Sequence, residues 1–464
     1  MKIADLLIES WINKEGNVSN INEILQWVSE RNSSLKVNVR KIDFMYDGFW
    51  HYDESDGYIR NDNNSFFQLA GYQEIENDTI VVEQPIILQN EIGYLGIICK
   101  EIDGVLNFLM QAKIEPGNVN KIQISPTIQA TKSNFTKKHG GKTPDYLNYF
   151  VDAADYTIIV DQIQSEQASR FYKKRNRNII IMVEDDIKIL DSHKWMTLGQ
   201  IKELMKVDNL VNMDTRTVLS CLPFGADDVK EYFEEHDDVD IVDKAFINSV
   251  TCGVDLLNIG SAFNKINEYK MYSNDCSRLV PIRSLKSWEM TKNEIRCRSD
   301  YGFKVVFCNI EIEGREIKYW EQPLLEATGE YVFGLISSID DAGIRRFLVK
   351  VRHELGCFDQ AELGPTVQMI PDINVGNLNK VEELFFENLD KSEAVMYNVI
   401  LSEEGGRFYH EQNRNVILDV PMKIVNDCMT DEYLWMSFAD LNCMIQFNNC
   451  LNIQLRNLLS LIEI

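Results

Sequence analysis

Hydrophobic residues recur along the chain with two periods, and these periods predict its helices and strands. After Thr197, apolar residues lie at the spacing of one helix face, and Thr197 and Gln200 form a capping box at its start. Apolar runs of strand length flank Asp103-Gly104, a dipeptide typical of a two-residue hairpin turn. The apolar helix positions are Leu198, Ile201, Leu204 and Met205.

The same patterns occur twice. The segments "SEQASRFYKKRNRN" (165–178) and "SEEGGRFYHEQNRN" (402–415) agree at eight of fourteen positions. Four further pairs follow in the same order, with an offset of 237 to 240 throughout. This collinearity predicts an internal duplication. The pairs are "VEQPIIL" with "WEQPLLE", "SPTIQA" with "GPTVQM", "KWMTLGQI" with "LWMSFADL", and "DNLVNMDTRTVLS" with "NNCLNIQLRNLLS".

The duplication predicts two homologous domains, residues 1–224 and 245–464. The acidic stretch 225–244 between them is typical of a solvated linker or helix face. Each half begins with a helical pattern, "INEILQWVSERN" or "IGSAFNKINEYK", and continues with strands around a Gln-Pro motif. We therefore expect an α/β (α+β) fold in which each domain is one mixed sheet flanked by helices.

The charge of the chain excludes some classes of partner. The net charge of -25 argues against a general nucleic-acid binder and against docking on an anionic membrane. A small anionic substrate remains compatible, because a local basic cluster can outweigh a distant acidic field.

The cysteine and histidine patterns predict a reducing compartment and no metal centre. The ten cysteines contain no C-x-x-C pair, and the six histidines show no zinc-ligand spacing. Asp5 and Glu9 interrupt the apolar N-terminal stretch, which favours an amphipathic helix over a signal peptide. No apolar run approaches the roughly 20 residues that span a bilayer. We expect a cytoplasmic protein with reduced thiols.

The first copy of the repeated phrase contains the clearest basic cluster. Guanidinium groups pair bidentately with phosphate oxygens, so the cluster predicts a pyrophosphate site. A solvated loop that pairs with the many carboxylates is the alternative. Arg170 and Arg177 recur as Arg407 and Arg414, which fits a role in the fold equally well. The candidate ligands are Arg170, Lys174, Arg175 and Arg177.

Two strands of the first half carry alternating polar residues. Gln111, Lys113 and Glu115 share one strand face, and Gln162, Gln164 and Glu166 share another. If these faces oppose each other, they form a polar pocket; if not, they are solvated edges. Several polar positions of this half are apolar in the second, which favours the first half as the working one. Gln129, Thr131, His139 and Tyr146 complete the candidate pocket.

Three long segments resemble the NDP-hexose 2,3-dehydratase family: "GVLNFLMQAKIEPGNVNKIQISPTIQATKSNFT", "DQIQSEQASRFYKKRNRN" and "WMTLGQIKELMKVDNLVNMDTRTVLSCLP". The resemblance covers nearly the whole chain. It implies a tandem duplication of a Nudix-like domain, a homodimer, and one working pocket per chain. The Nudix hydrolase box is absent from both halves, so the resemblance implies the fold without metal-dependent pyrophosphate cleavage.

The resemblance implies the substrate dTDP-4-keto-6-deoxyglucose and a reaction without a redox cofactor. A base removes the C3 proton, an enolate forms, and the C2 hydroxyl leaves with the help of an acid. On this interpretation Glu166 handles the proton, Lys113 stabilises the enolate oxygen, and His139 or Tyr146 protonates the leaving hydroxyl. A fold role is the alternative for Glu166, because Glu403 matches it in the second half.

Other residues are candidates for the nucleotide. Trp50 or Trp195 would stack on thymine, although a core position suits Trp195 better. Asn209, Asn212 and Arg216 would line the pocket, but their counterparts in the second half favour a shared fold role. The competing functions are a metal-dependent nucleotide-sugar hydrolase and a non-catalytic nucleotide-sugar-binding protein. The diketone product is fragile, so we expect a 3-ketoreductase or an aminotransferase to act next.

Overall fold

The computed structural model describes residues 2–131, 143–236, 239, 241–313, 317–374 and 376–464. Helices and strands alternate through both halves, as the hydrophobic pattern predicts. The helices are α1 (Ile3–Ile12), α2 (Ile21–Ser34), α3 (Leu147–Val151), α4 (Leu198–Met205), α5 (Met213–Ser220), α6 (Ala226–Glu235), α7 (Lys244–Thr251), α8 (Leu256–Tyr272), α9 (Pro371–Asn374), α10 (Lys380–Leu389), α11 (Met422–Asn426), α12 (Phe438–Ile445) and α13 (Ile453–Leu461).

The strands form two sheets in each half, whereas the sequence predicts one. The strands are β1 (Val37–Ile42), β2 (Trp50–Asp53), β3 (Tyr58–Asn61), β4 (Gln68–Glu76), β5 (Thr79–Leu88), β6 (Gly93–Ile102), β7 (Val105–Ile114), β8 (Ile122–Ser125), β9 (Ile128–Ala130), β10 (Thr157–Ser165), β11 (Arg175–Met182), β12 (His193–Met196), β13 (Cys276–Val280), β14 (Trp288–Met290), β15 (Glu294–Cys297), β16 (Phe303–Ile312), β17 (Tyr319–Ala327), β18 (Val332–Ile339), β19 (Arg345–His353), β20 (Ala361–Gly364), β21 (Val367–Met369), β22 (Val395–Ser402), β23 (Phe408–Tyr409), β24 (Gln412–Asp419) and β25 (Tyr433–Ser437).

The larger sheet of each half is mixed. In the first half its order is β10-β11-β6-β7-β12, and β6 and β11 run parallel. The second half repeats this with β22-β24-β18-β19-β25, and β18 and β24 are the parallel pair. The predicted hairpin is confirmed: β6 and β7 meet at Asp103 and Gly104, both with positive φ, as a type I′ turn requires.

The smaller sheets exchange a strand between the halves. β1, from the first half, pairs antiparallel with β16 of the second, so that Val39 lies opposite Ile310. Reciprocally β13, from the second half, pairs with β4 of the first, where Ser277 lies opposite Glu74. Each half therefore completes the other's sheet and covers an edge that would otherwise expose unpaired backbone groups.

The two closing helices cross the boundary in the same reciprocal way. α5 packs against α13, and both begin with an asparagine cap, Asn212 or Asn452. Arg216 donates to the carbonyl of Ser402 at 2.7 Å, and Arg456 donates to the carbonyl of Ser165. Each buried arginine thus fixes the end of a strand in the opposite half.

The apolar core is continuous between the halves. One cluster of buried side chains runs from Leu6 in α1 to Ile464 and contains residues of both halves, and a second cluster contains side chains of the small sheets, such as Trp50, Leu69 and Phe303. The predicted capping box of Thr197 and Gln200 is present at the start of α4. The acidic stretch contains α6, which buries Val229 and Tyr232 and exposes its charges.

The lengths and polarity of the described helices show whether any of them could span a membrane. Each of them is too short or too polar to cross a bilayer.

The strand exchange predicts that neither half folds alone. Fragments 1–224 and 225–464, expressed separately, should aggregate or melt without cooperativity, because β4 and β16 each lose an antiparallel partner. When expressed together they should form a 1:1 complex that melts like the intact chain. Size-exclusion chromatography and thermal denaturation test this. A monomeric fragment 1–224 that unfolds cooperatively would refute it.

Candidate active site

A cleft of about 960 Å³ opens beside the large sheet of the first half. Its first-half wall consists mainly of residues from β7 and β9, the segment that follows β10, and the start of β12. Its second-half wall comes from β16, β17 and the loop before β23, which the strand exchange brings alongside. The second-half residues in this wall include Asn309, Trp320, Glu321, Gln322, Glu404 and Arg407.

A lysine and its partners lie at the end of β7. The Lys113 ammonium contacts the Glu115 carboxylate at 2.9 Å and donates a short hydrogen bond to the Gln129 side chain. Gln129 in turn lies 3.5 Å from the Asn212 amide at the cap of α5. These partners fix a cation at the cleft wall, where it can stabilise negative charge on a bound molecule.

Glu166 follows β10 and is buried. Its Oε2 accepts a hydrogen bond from the Asn176 amide at 2.6 Å. Burial, reinforced by the nearby Glu404, raises the pKa of Glu166 to about 7. Arg456 of the opposite half holds the preceding carbonyl, that of Ser165, and so fixes the backbone that carries this carboxyl. A carboxyl with a pKa near 7 can accept or donate a proton at neutral pH.

Two more buried carboxyls line the cleft. Burial, together with the carboxylates of Glu166 and Glu115, raises the pKa of Asp214 to about 8. Burial also raises the pKa of Glu404 to about 8, although its 2.9 Å contact with Arg407 acts in the opposite direction. Within the described parts of the chain, no group donates a hydrogen bond to Asp214 Oδ1 or Glu404 Oε2. Asp214 therefore carries a carboxyl oxygen that the described residues do not satisfy.

Two further cations face these carboxyls. Lys174 is buried, donates to the carbonyl of Glu91, and has its pKa lowered to about 8 by burial and by Arg407. Arg407 also donates to the Gln89 side chain at 2.8 Å and lies over the Phe66 ring. Proton donors, proton acceptors and fixed cations are thus concentrated in one water-accessible cleft, a combination typical of catalytic sites.

The structure brings eight of the predicted site residues together. They all line the cleft, on both sides of the buried carboxyl group of Glu166. These residues are Trp50, Gln111, Lys113, Glu115, Gln129, Thr131, Glu166 and Lys174.

The polar faces of the two strands, which would form a pocket if they opposed each other, do not do so. β7 and β10 belong to the same sheet, separated by β11 and β6, so their polar faces do not oppose each other. Gln164 donates to the carbonyl of Ile445, and Gln162 contacts Gln446, both in the second half. These two glutamines bind the halves together, and only Glu166 of that strand face lines the cleft.

Two of the predicted phosphate ligands have other partners. Arg177 forms a bidentate ion pair with Asp161 at 2.6 Å. The Arg175 guanidinium stacks on the Phe358 ring, 3.5 Å from its centre. Neither residue lines the cleft.

Three further candidates are anchored in the fold. Asn212 caps α5 and donates to Ser125, and Arg216 holds the carbonyl of Ser402. The Tyr146 hydroxyl donates to the carbonyl of Lys188, and the Tyr146 ring packs on His193. His139 lies outside the described residues. Trp195 does not line the cleft and packs in the core of the first half, as expected.

Arg170 lies against the second half, at the position that corresponds in the repeat to the first-half cleft. Its guanidinium is buried 4.2 Å from the Phe303 ring of the second half and 3.8 Å from Glu411. Its counterpart Arg407, from the second copy of the phrase, lines the first-half cleft. The loops that carry the two arginines therefore cross between the halves, like the exchanged strands.

Residues from the second half were the main omission of the sequence analysis. Nothing in the primary structure shows that Glu404, Arg407 or Trp320 faces the first half. Asp214, in contrast, carried a detectable signal, because the second repeat has Gln454 at the matching position. His193 also lines the cleft, and Thr127 and Ser192 bind its ring nitrogens at 3.0 Å.

The buried Asp214 predicts a specific pH dependence of stability. In the unfolded chain this group ionises near pH 4, whereas in the fold its pKa is about 8. Between these values the folded protein binds more protons, so the contribution of Asp214 becomes less favourable as the pH rises. Asp214→Asn should therefore stabilise the chain more at pH 8 than at pH 5, by at least about 1 kcal/mol. Denaturant unfolding of both proteins measures this, and an equal effect at both pH values would contradict it.

Comparisons with known proteins identify the family of this chain. The model of the NDP-hexose 2,3-dehydratase family matches the chain twice, at residues 21–222 and 262–462. A dTDP-4-dehydro-6-deoxy-alpha-D-glucopyranose 2,3-dehydratase of Saccharopolyspora spinosa is 37% identical over 94% of this chain and 89% of its own length. An enzyme of the same name from Amycolatopsis orientalis is 34% identical over 99% of this chain and 94% of its own. The chain belongs to the NDP-hexose 2,3-dehydratase family.

Proposed function

We propose that this enzyme converts dTDP-4-keto-6-deoxyglucose to the 3,4-diketo-2,6-dideoxy sugar by 2,3-dehydration. The observation that carries the proposal is the cleft itself, in which Glu166, Asp214 and Lys113 lie together in a chain of this family. Relatives named for this reaction match the chain over most of its length. The reaction needs a base, an acid and a cation for the enolate, and the cleft contains all three.

The first step is removal of the C3 proton. This proton is acidic because it lies next to the C4 ketone, and Glu166 in its ionised form accepts it. The electron pair of the C3–H bond moves to the C4 oxygen and forms an enolate. Lys113, fixed by Glu115 and Gln129, stabilises that oxygen. A preorganised donor of this kind contributes roughly 2.7–4 kcal/mol to transition-state stabilisation.

The second step is loss of the C2 hydroxyl. The enolate electrons form the C2–C3 double bond, the C2–O bond breaks, and an acid delivers a proton so that water departs. We assign this proton to Asp214, whose raised pKa keeps it protonated at neutral pH. Glu404 suits the role less well, because Arg407 favours its ionised form. The resulting enol tautomerises to the 3,4-diketone.

The rim of the cleft suits the nucleotide. Aromatic side chains from both halves line it and offer surfaces on which thymine can stack. Trp320 is more accessible than Trp50, which is buried and donates to the carbonyl of Glu321. Arg31 also lines the cleft, and we assign it a pyrophosphate role; of the residues that the sequence proposed for this role, Arg170, Lys174, Arg175 and Arg177, only Lys174 lines the cleft. The aromatic residues that line the cleft include Phe49, Trp50, Phe66, Tyr319 and Trp320.

The matching residues of the second half support the proposal that its pocket is a relic of the same site. Glu411 replaces Lys174, Gln454 replaces Asp214, and Ile370 replaces Thr131, so that a cation, an acid and a hydroxyl are lost. Arg170 and Phe303 pack against each other at that position. We propose that only the first-half cleft is catalytic, in a Nudix-like repeat that has kept its fold.

Family membership supports a further proposal about the assembly and the pathway of the enzyme. We propose a cytoplasmic homodimer that acts in deoxysugar biosynthesis. The C2 protons of the product are acidic and its nucleotide is a good leaving group, so the product decomposes unless it is consumed. A 3-ketoreductase or an aminotransferase should therefore act next.

An end-point assay tests the proposed reaction. The enzyme is incubated with dTDP-4-keto-6-deoxyglucose and EDTA, 1,2-diketones are trapped with o-phenylenediamine, and released nucleotide is followed. We expect a quinoxaline adduct and the slow appearance of dTDP. Formation of dTMP and a sugar phosphate, or no product, would refute dehydration of this substrate.

The duplication supplies a matched control for the catalytic base. Glu166→Gln should lower kcat by about 10²- to 10⁴-fold, the usual contribution of a general base. Glu403→Gln changes the equivalent buried carboxyl, which accepts from Asn413 at 2.7 Å as Glu166 accepts from Asn176. That variant should retain most of its turnover. Equal losses in the two variants, both folded by circular dichroism, would assign Glu166 to the fold.

A further inference from the structure

A partly buried cluster outside the cleft contains three metal-ligating side chains, of which Glu74 is buried. The donor atoms of Glu74, Asp275 and His353 lie within 4.8 Å of one another. Among the described residues, this is the one set of three or more such groups with this spacing. Glu74 lies in β4, Asp275 directly before the exchanged strand β13, and His353 at the end of β19, so the cluster joins both halves.

The hydrogen bonds of His353 direct one ring nitrogen into the cluster. Its Nδ1 lies 2.9 Å from the carbonyl of Gln360, an acceptor, so Nδ1 carries the proton. Nε2 therefore points its lone pair at the Glu74 carboxylate, with which it is in close contact. A second proton on the imidazole accounts for this contact, and a metal ion would displace that proton and bind the same two groups.

The third ligand is oriented in the same manner. Asp275 Oδ2 accepts hydrogen bonds from the hydroxyls of Tyr269, at 3.0 Å, and Ser273, at 2.6 Å. The Tyr269 ring also stacks on the His353 imidazole, with 5.5 Å between ring centres. Such outer partners, which fix the orientation of histidine and carboxylate ligands, are typical of metal sites.

The equivalent junction, where β1 pairs with β16, shows that the fold does not require this polar cluster. By sheet register and repeat alignment, Glu74 corresponds to Ile310, Asp275 to Val37 and His353 to Ile114. All three counterparts are apolar and pack in the shared core. A hydrophobic contact is thus sufficient at this junction, whereas buried charged groups are costly without a compensating partner.

We infer that Glu74, Asp275 and His353 bind one divalent transition-metal ion, such as Zn²⁺, that fastens the exchanged strand β13 to β4 and β19. One imidazole nitrogen and two carboxylate oxygens form a common ligand set for this class of ion. Ligand distances of about 2.1 Å require only small movements of the side chains around the ion. None of the three residues lines the reaction cleft, so the ion would be structural.

Metal titration of the intact, EDTA-dialysed chain tests the inference without any substrate. Calorimetry should show one Zn²⁺ bound per chain. Zinc at about 100 times the dissociation constant should raise Tm by about 3 °C. Co²⁺ should give visible absorption bands on binding. Absence of a binding heat and of a Tm shift would overturn the inference and leave an imidazolium–carboxylate ion pair.

Variants locate the ion. His353→Gln should weaken zinc binding by at least about 10-fold, and Tyr269→Phe should weaken it to a smaller extent. The triple variant Glu74→Ile, Asp275→Val, His353→Ile reproduces the apolar junction of the other half, so it should fold and show no zinc-dependent Tm shift. Unchanged zinc binding in this variant would overturn the inference.

A second histidine–carboxylate pair provides the matched control. His51 Nδ1 contacts Asp62 at 3.1 Å, and no third ligand accompanies them among the residues that the structure describes. His51→Gln should therefore keep the full zinc response. Loss of the response in His51→Gln but not in His353→Gln would place the ion at the wrong histidine and reject the proposed site.

Discussion

The reciprocal pairing of β1 with β16 and of β13 with β4 is the constraint on which the rest of the structure depends. A sheet edge that lacks its neighbour leaves backbone hydrogen-bonding groups unpaired. Each repeat covers the other's edge. The second repeat thereby places its β16–β17 region beside the large sheet of the first repeat. The cleft acquires its second wall from this exchange, so the complete site forms only when the exchanged strands pair.

The chemistry of the cleft depends on burial balanced by fixed cations. Glu166, Asp214 and Glu404 are removed from water, which raises their pKa values into the neutral range. Lys113 and Arg407 limit the cost of that burial without ion-pairing all three carboxyls. A mixture of protonated and ionised carboxyls at neutral pH results, and an elimination needs both forms in the same cleft.

Local patterns in the sequence were sufficient for the local structure. The capping box at Thr197, the turn at Asp103-Gly104 and the α+β class are confirmed because each depends on neighbouring residues or on periodicity. The candidate site was predictable only in part. Lys113 and Glu166 line the cleft, whereas Arg170 lies at the opposite position and Arg407 takes its place. Strand exchange depends on contacts between distant segments, and no local pattern encodes it.

The exchange also constrains how such a protein can arise and diverge. A half-length chain of this topology would expose the edge of its small sheet and would close it only by pairing with a second copy, as a two-fold symmetric dimer with two identical sites. In that dimer every substitution appears in both sites at once. Joining the two copies in one chain removes this symmetry, so one position can hold Lys174 while its counterpart holds Glu411. Fusion of the halves therefore allows the two positions to diverge independently, as Lys174 and Glu411 have done.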